Sequence, residues 1–81
     1  MSYRLKYDPA AEAVHEAMPA SASESLTLAF AAACHDPLGA TQPYEEDDDV
    51  VRMLITEHAF AVLLIGQQTK TITVLQVTYL G

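Results

Sequence analysis

The stretch from Val50 to Leu80 reads VVRMLI, TE, HAFAVLLI, GQQ, TKTITVLQVTYL, and its reading decides the fold. Three apolar, β-branched runs lie next to one another with two short breaks between them. Val, Ile, Thr, Tyr and Phe suit a pleated, half-buried surface, so each run reads as a strand. In the second run His58, Phe60, Val62 and Leu64 alternate with Ala59, Ala61, Leu63 and Ile65. Both faces are largely apolar, which predicts a central strand covered on each side. In the third run Ile72, Val74 and Gln76 share one face, and Thr73, Leu75, Val77 and Tyr79 fall on the other. Breaks this short join antiparallel neighbours, because a parallel pair needs a crossover of about a dozen residues or more. The C-terminal third is therefore an antiparallel meander, and the upstream chain has to cover it.

Moving outward, Ser2 to Tyr7 alternates Tyr3, Leu5 and Tyr7 against Arg4 and Lys6, the pattern of a half-buried strand. That strand buries its apolar side by joining the meander, beside the last strand. Asp8-Pro9 starts a helix, with Asp8 as N-cap and Pro9 at the first helical position. The helix presents Ala10, Val14, Ala17 and Met18 on one side, with Glu12, His15 and Glu16 elsewhere, and Pro19 ends it. Ser21 and Glu24 have capping-box spacing ahead of a second helix, SLTLAFAAACH, whose apolar stripe is Leu26, Ala29, Phe30, Ala33 and Cys34. Asp36-Pro37 stops it. Pro37 to Asp49 shows no periodicity and reads as a loop ending in five consecutive acids. The predicted class is α+β: a four-stranded antiparallel sheet with a helical hairpin on one face.

Eighty-one residues make one small domain, and 51% hydrophobic residues are enough to fold it. No apolar run approaches the roughly 18 to 20 residues that span a bilayer, and the N-terminus carries no signal-peptide core. Cys34 is alone and has no internal disulfide partner, so the expected compartment is the reducing cytoplasm. Eleven acids face four bases, Arg4, Lys6, Arg52 and Lys70, for a net charge of −7. Binding to nucleic acid draws its affinity from cations set against phosphates, so this balance favours a protein partner instead.

The order β-α-α-β-β-β resembles the RelE/ParE toxin superfamily of bacterial type II toxin–antitoxin systems. The motifs that carry the likeness are Tyr3-Arg4-Leu5-Lys6-Tyr7-Asp8-Pro9-Ala10-Ala11 at the start, Asp36-Pro37 after the helices, Val51-Arg52-Met53-Leu54, and Ile72-Thr73-Val74-Leu75-Gln76-Val77. The resemblance implies an antitoxin-like partner that wraps the domain with a helix or an added strand. In the ribonuclease branch, basic residues on these strands hold the scissile phosphate, and a basic or aromatic C-terminal segment joins in cleavage. Here Leu54 and Ala59 stand where arginines are expected, and Tyr79-Leu80-Gly81 closes the chain without the R-x-x-x-Y tail. Acids Glu45 to Asp49 replace a segment that often bears lysine. Removing one group aimed at developing charge typically costs roughly a hundredfold in rate. The implied function is thus a toxin-like protein acting mainly through protein binding. The alternatives are a ribosome-dependent mRNA endonuclease and a ParE-like gyrase inhibitor.

If the chain is an endonuclease, the polar set left for catalysis is Arg52, His58 and Tyr79, on the sheet face opposite the helices. The competing reading pairs Arg52 with a carboxylate from Asp47 to Asp49 and makes His58 a hydrogen-bonded strand-start residue. Tyr44, Glu45, Glu46, Asp47, Asp48 and Asp49 are the candidate partner-binding segment, suited to a basic partner. Self-association is a further expectation, since a small apolar domain gains by covering a face or an edge. His15, His35, His58 and Cys34 lack metal-ligand spacing, and no cofactor motif is present.

Overall fold

The computed structural model describes residues 2–81. Strand β1 (Arg4–Tyr7) leads into helices α1 (Pro9–Ala17) and α2 (Ala20–His35). Four strands follow: β2 (Gln42–Pro43), β3 (Val51–Ile55), β4 (Ala59–Gly66) and β5 (Thr71–Tyr79). They form one sheet in the order β1-β5-β4-β3-β2. The α+β class, the helical hairpin on one face and the β3–β4–β5 meander are as the sequence implies, and β1 lies beside the last strand. Two details differ. The sheet has a fifth, two-residue strand inside the expected loop, and β1 pairs parallel to β5. The tight turns constrain only β3, β4 and β5. Between β1 and β3 the chain crosses the sheet through both helices, long enough to return it in the parallel sense.

A bulge in β5 changes the face assignment. Gln76 pairs with Val62 and Val74 with Leu63, so Leu75 is an extra residue without a partner. The parity flips there, as a β-bulge requires. Val77 joins Ile72 and Val74 in the core, while Gln76, expected beside them, is exposed.

Asp8 caps α1 as expected, its carboxylate accepting from the Ala10 amide at 3.0 Å. The helix is rotated from its expected stripe: Ala11, His15 and Met18 face inward, and Val14 is exposed. His15 can be buried because both ring nitrogens find partners. The Tyr7 hydroxyl lies 2.9 Å from Nδ1, and the Ser23 carbonyl lies 3.0 Å from Nε2. The ring also meets Phe30 edge-on, at 5.7 Å between centroids. The capping box does not form either. α2 begins at Ala20, directly after Pro19, with no side-chain cap, leaving Ser21 and Glu24 exposed in its first turn. Proline at the junction ends one helix and lets the next begin after only Met18 and Pro19.

The core lies between the helices and one sheet face. Leu26, Phe30 and Ala33 of α2 meet Ala61, Leu63, Ile72 and Val74. No helix among the described residues is long and apolar enough to cross a membrane.

Candidate functional site

Side chains that pair across strands share a face, so the register sorts the sheet residues. Arg52 pairs with Leu63 and Leu54 with Ala61, which puts Arg52 on the helix-covered side, where it is 7% exposed. Its guanidinium is engaged there. Nε donates to Thr41 Oγ1 at 2.7 Å, Nη2 to the Thr41 carbonyl at 3.0 Å, and Nη1 to the Asp48 carbonyl at 2.9 Å. Thr41 in turn donates its hydroxyl proton to the Pro37 carbonyl. One arginine thus ties both ends of the 37–49 segment to β3. The expected partner, an Asp47–Asp49 carboxylate, is replaced by a backbone carbonyl.

His58 sits in the β3–β4 turn, with Nδ1 3.1 Å from the Gly81 carbonyl oxygen. Its own carbonyl accepts from the Leu80 amide at 2.7 Å. Nε2 is 3.9 Å from the Glu57 carboxylate, in a surface pair. Tyr79 pairs with Ala59 and faces α1, where it lines an open apolar groove of about 350 Å³ with Ala13, Val14, Ala17 and Met18. His58 and Tyr79 are therefore neighbours, but Arg52, on β3, is offset by four residues, roughly 13 Å along the strand direction at a strand's rise per residue, and lies two strands from Tyr79. The three do not converge, and Arg52 and Tyr79 lie on the helix side rather than the face opposite it.

The acidic segment is folded back on the sheet. Tyr44, Glu45, Glu46 and Asp48 surround Val51 in a shallow depression of about 200 Å³. Tyr44 and Glu46 form an isolated bridge, and Glu45 between them adopts φ 59°, a left-handed conformation. The Asp48 carboxylate accepts from the Val50 and Val51 amides at 2.9 and 3.0 Å. Those two bonds hold its pKa below the ordinary value, with the nearby Arg52 charge adding to the effect.

The sequence reading missed the second sheet face. Val51, Met53 and Ile55 pair with Leu64, Val62 and Phe60, and no helix covers them. Ile55 is 52%, Leu64 37% and Leu75 40% exposed. The signal is present in the two-sided apolar pattern of β4, which predicts two covers, whereas the described residues supply one. Among the described residues no three His, Cys, Asp or Glu side chains form a metal-ligand group. Cys34 is half-buried against the core, and burial raises its thiol pKa.

No protein-family model and no curated protein matches the chain. Solved structures do. The toxin–antitoxin complex RelBE2 of Mycobacterium tuberculosis contains a chain that superposes with a TM-score of 0.83 at 15% identity, covering 98% of this chain and 99% of that one. The isolated Escherichia coli RelE toxin gives 0.82 at 14%, covering 99% and 86%. An E. coli RelE mutant in complex with an antitoxin RelBc peptide gives 0.76 at 18%, covering 95% and 82%.

Proposed function

From the RelE-like fold that these superpositions show, we propose that this chain is a toxin-like protein of a bacterial type II toxin–antitoxin system, or derived from one. It acts mainly by binding protein rather than by cutting RNA. The observation that carries the reading is the state of Arg52, the cation nearest the centre of the sheet. It is buried, and three of its five N–H donors are committed to Thr41 and Asp48, which leaves little of it to offer a phosphate. The rim beside it is the acidic Glu45–Asp49 run, which repels a nucleic-acid backbone. RelE structures exist with the antitoxin RelB or its RelBc peptide, and the shared fold brings an antitoxin-like partner to this chain as a proposal. Tyr44 to Asp49 are the residues assigned to contact that partner's basic side chains, in a cytoplasmic, protein-binding role.

The test is mRNA cleavage on programmed ribosomes, read by primer extension, with E. coli RelE as positive control and gyrase supercoiling assayed in parallel. The folded chain is expected to cut nothing, to leave supercoiling unaffected, and to co-purify with the small protein encoded beside it. Cleavage at RelE-like rates would establish the endonuclease alternative, and lost supercoiling the gyrase one.

A further inference from the structure

The uncovered sheet face has two oppositely charged corners at the same end. The register gives one row across the sheet: Lys6 beside Thr73, Thr73 beside Leu64, Leu64 beside Val51. Arg4 lies one row further, beside Thr71. Both cations alternate with Leu5 and Tyr7, which pack on the core, so Arg4 and Lys6 project to the uncovered side. At the opposite end of the row, Glu45, Glu46 and Asp48 ring Val51. Between the corners lies Leu64 of β4, and Val62 and Phe60 continue the face along β4 away from that row, beside Met53 and Ile55 of β3, with Leu75 of β5 nearby.

We infer that this face binds a second copy of the chain, face to face, about a two-fold axis running along β4. A rotation about an axis parallel to the strands keeps each residue's height along the strand and exchanges left with right. β4 then lies over its own copy, setting Phe60 and Leu64 against their counterparts, while Val62 between them is already buried within the protomer. The Arg4–Lys6 corner of one protomer falls over the Glu45–Glu46 corner of its partner, and the same contact repeats on the other side. This is an isologous interface, with one patch complementary to itself. An axis perpendicular to the strands in the same plane would set like charges over the wrong end of the sheet, so the corners select the orientation.

Two magnitudes support it. A standard interface takes roughly 800 Å² from each partner, about a sixth of the chain's 4832 Å², which is the share of one broad face. The net charge of −7 opposes association. At physiological ionic strength, however, the Debye length is about 8 Å, so remote charges are damped while facing corners are not. The dimer needs no antitoxin and can fail while the partner-binding reading holds.

Sedimentation velocity over a concentration series tests it. The wild-type chain is expected to dimerise in the micromolar range, and Leu64→Glu to leave a monomer with an unchanged circular-dichroism spectrum. Reversing one corner with Arg4→Glu and Lys6→Glu is expected to weaken self-association at least about tenfold, as is reversing the other with Glu45→Lys and Glu46→Lys. These exposed corner changes leave the core intact. Mixing the two reversed proteins then puts acid against base at both contacts, and a heterodimer as tight as the wild-type dimer is expected. A wild-type monomer at every concentration overturns the inference, including one whose face is covered only by a different protein. So does a dimer indifferent to both reversals, or a mixture that stays monomeric.

Discussion

The two faces of this sheet are built from the same residue types and end in different states. On the helix side, Leu63, Ile72 and Val74 are fully buried under Leu26 and Phe30, and the polar groups drawn in with them, His15 and Arg52, are hydrogen-bonded at each ring or guanidinium nitrogen. On the other side Leu64, Ile55 and Leu75 meet solvent, with a basic corner at Arg4 and Lys6 and an acidic one at Glu45 and Glu46. Equal hydrophobicity thus does different work. One face supplies stability to a domain small enough to have little in reserve, and the other is a surface. If that division is right, substitutions on the two faces should differ in kind.

The largest effect is expected at Phe30, which packs edge-on against Tyr7 and His15 at the centre of the covered side. Phe30→Ala should lower the unfolding free energy by about 4 kcal/mol, measured by urea denaturation at dilute concentration. A loss no larger than that of a surface change would erase the contrast between the faces.

Arg52 sharpens the contrast from the polar side. Arg52→Ala leaves the Thr41 and Asp48 carbonyls without their donor, and hydrogen bonds to charged groups are the stronger ones. A loss of about 3 kcal/mol is expected, with amide exchange speeding up at Gln42 and Val51 as the 37–49 segment loosens. Stability unchanged with a cleavage defect would instead make the residue catalytic.

How much of this was readable beforehand follows from the length scale of each feature. Strands β3, β4 and β5 and the Asp8-Pro9 helix start are local, set by period-two patterning and one cap, and they stand where the sequence puts them. Features set by partners far along the chain were not readable. His15 looked like a solvent residue because its acceptor, the Ser23 carbonyl, belongs to the next helix. Arg52 looked like a site cation because its partners lie in a segment without periodicity. Gln76 shares a face with Ile72 and Val74 in a strict alternation, and the bulge that moves it off that face leaves no mark in the pattern. The spacing of the site residues was not readable either: His58 and Tyr79 are neighbours at one end of the sheet, and Arg52 lies further along it.

On the open face the expected stability effects are small. Leu64→Thr introduces a β-branched residue suited to a strand and removes one exposed leucine, so the dilute monomer should change by no more than about 0.5 kcal/mol. A loss near that of Phe30→Ala would mean that the face is covered within the monomer.

The smallest effect belongs to Asp48, which joins the two faces. Its carboxylate caps the start of β3 beside the open-face corner, and its carbonyl holds Arg52 on the covered side. Asp48→Asn keeps the carbonyl and removes only the charge, so it separates the two roles. The folded-state pKa is depressed, chiefly by the Val50 and Val51 amides. The ionised carboxylate therefore stabilises the fold above the ordinary carboxylate range, and that contribution is lost as pH falls through the lowered folded value. The stability difference between wild type and Asp48→Asn should be greatest at neutral pH and close below about pH 4. A difference that persists unchanged at acid pH would mean that the neutral side chain makes the cap, and that the charge at this corner is free for a partner.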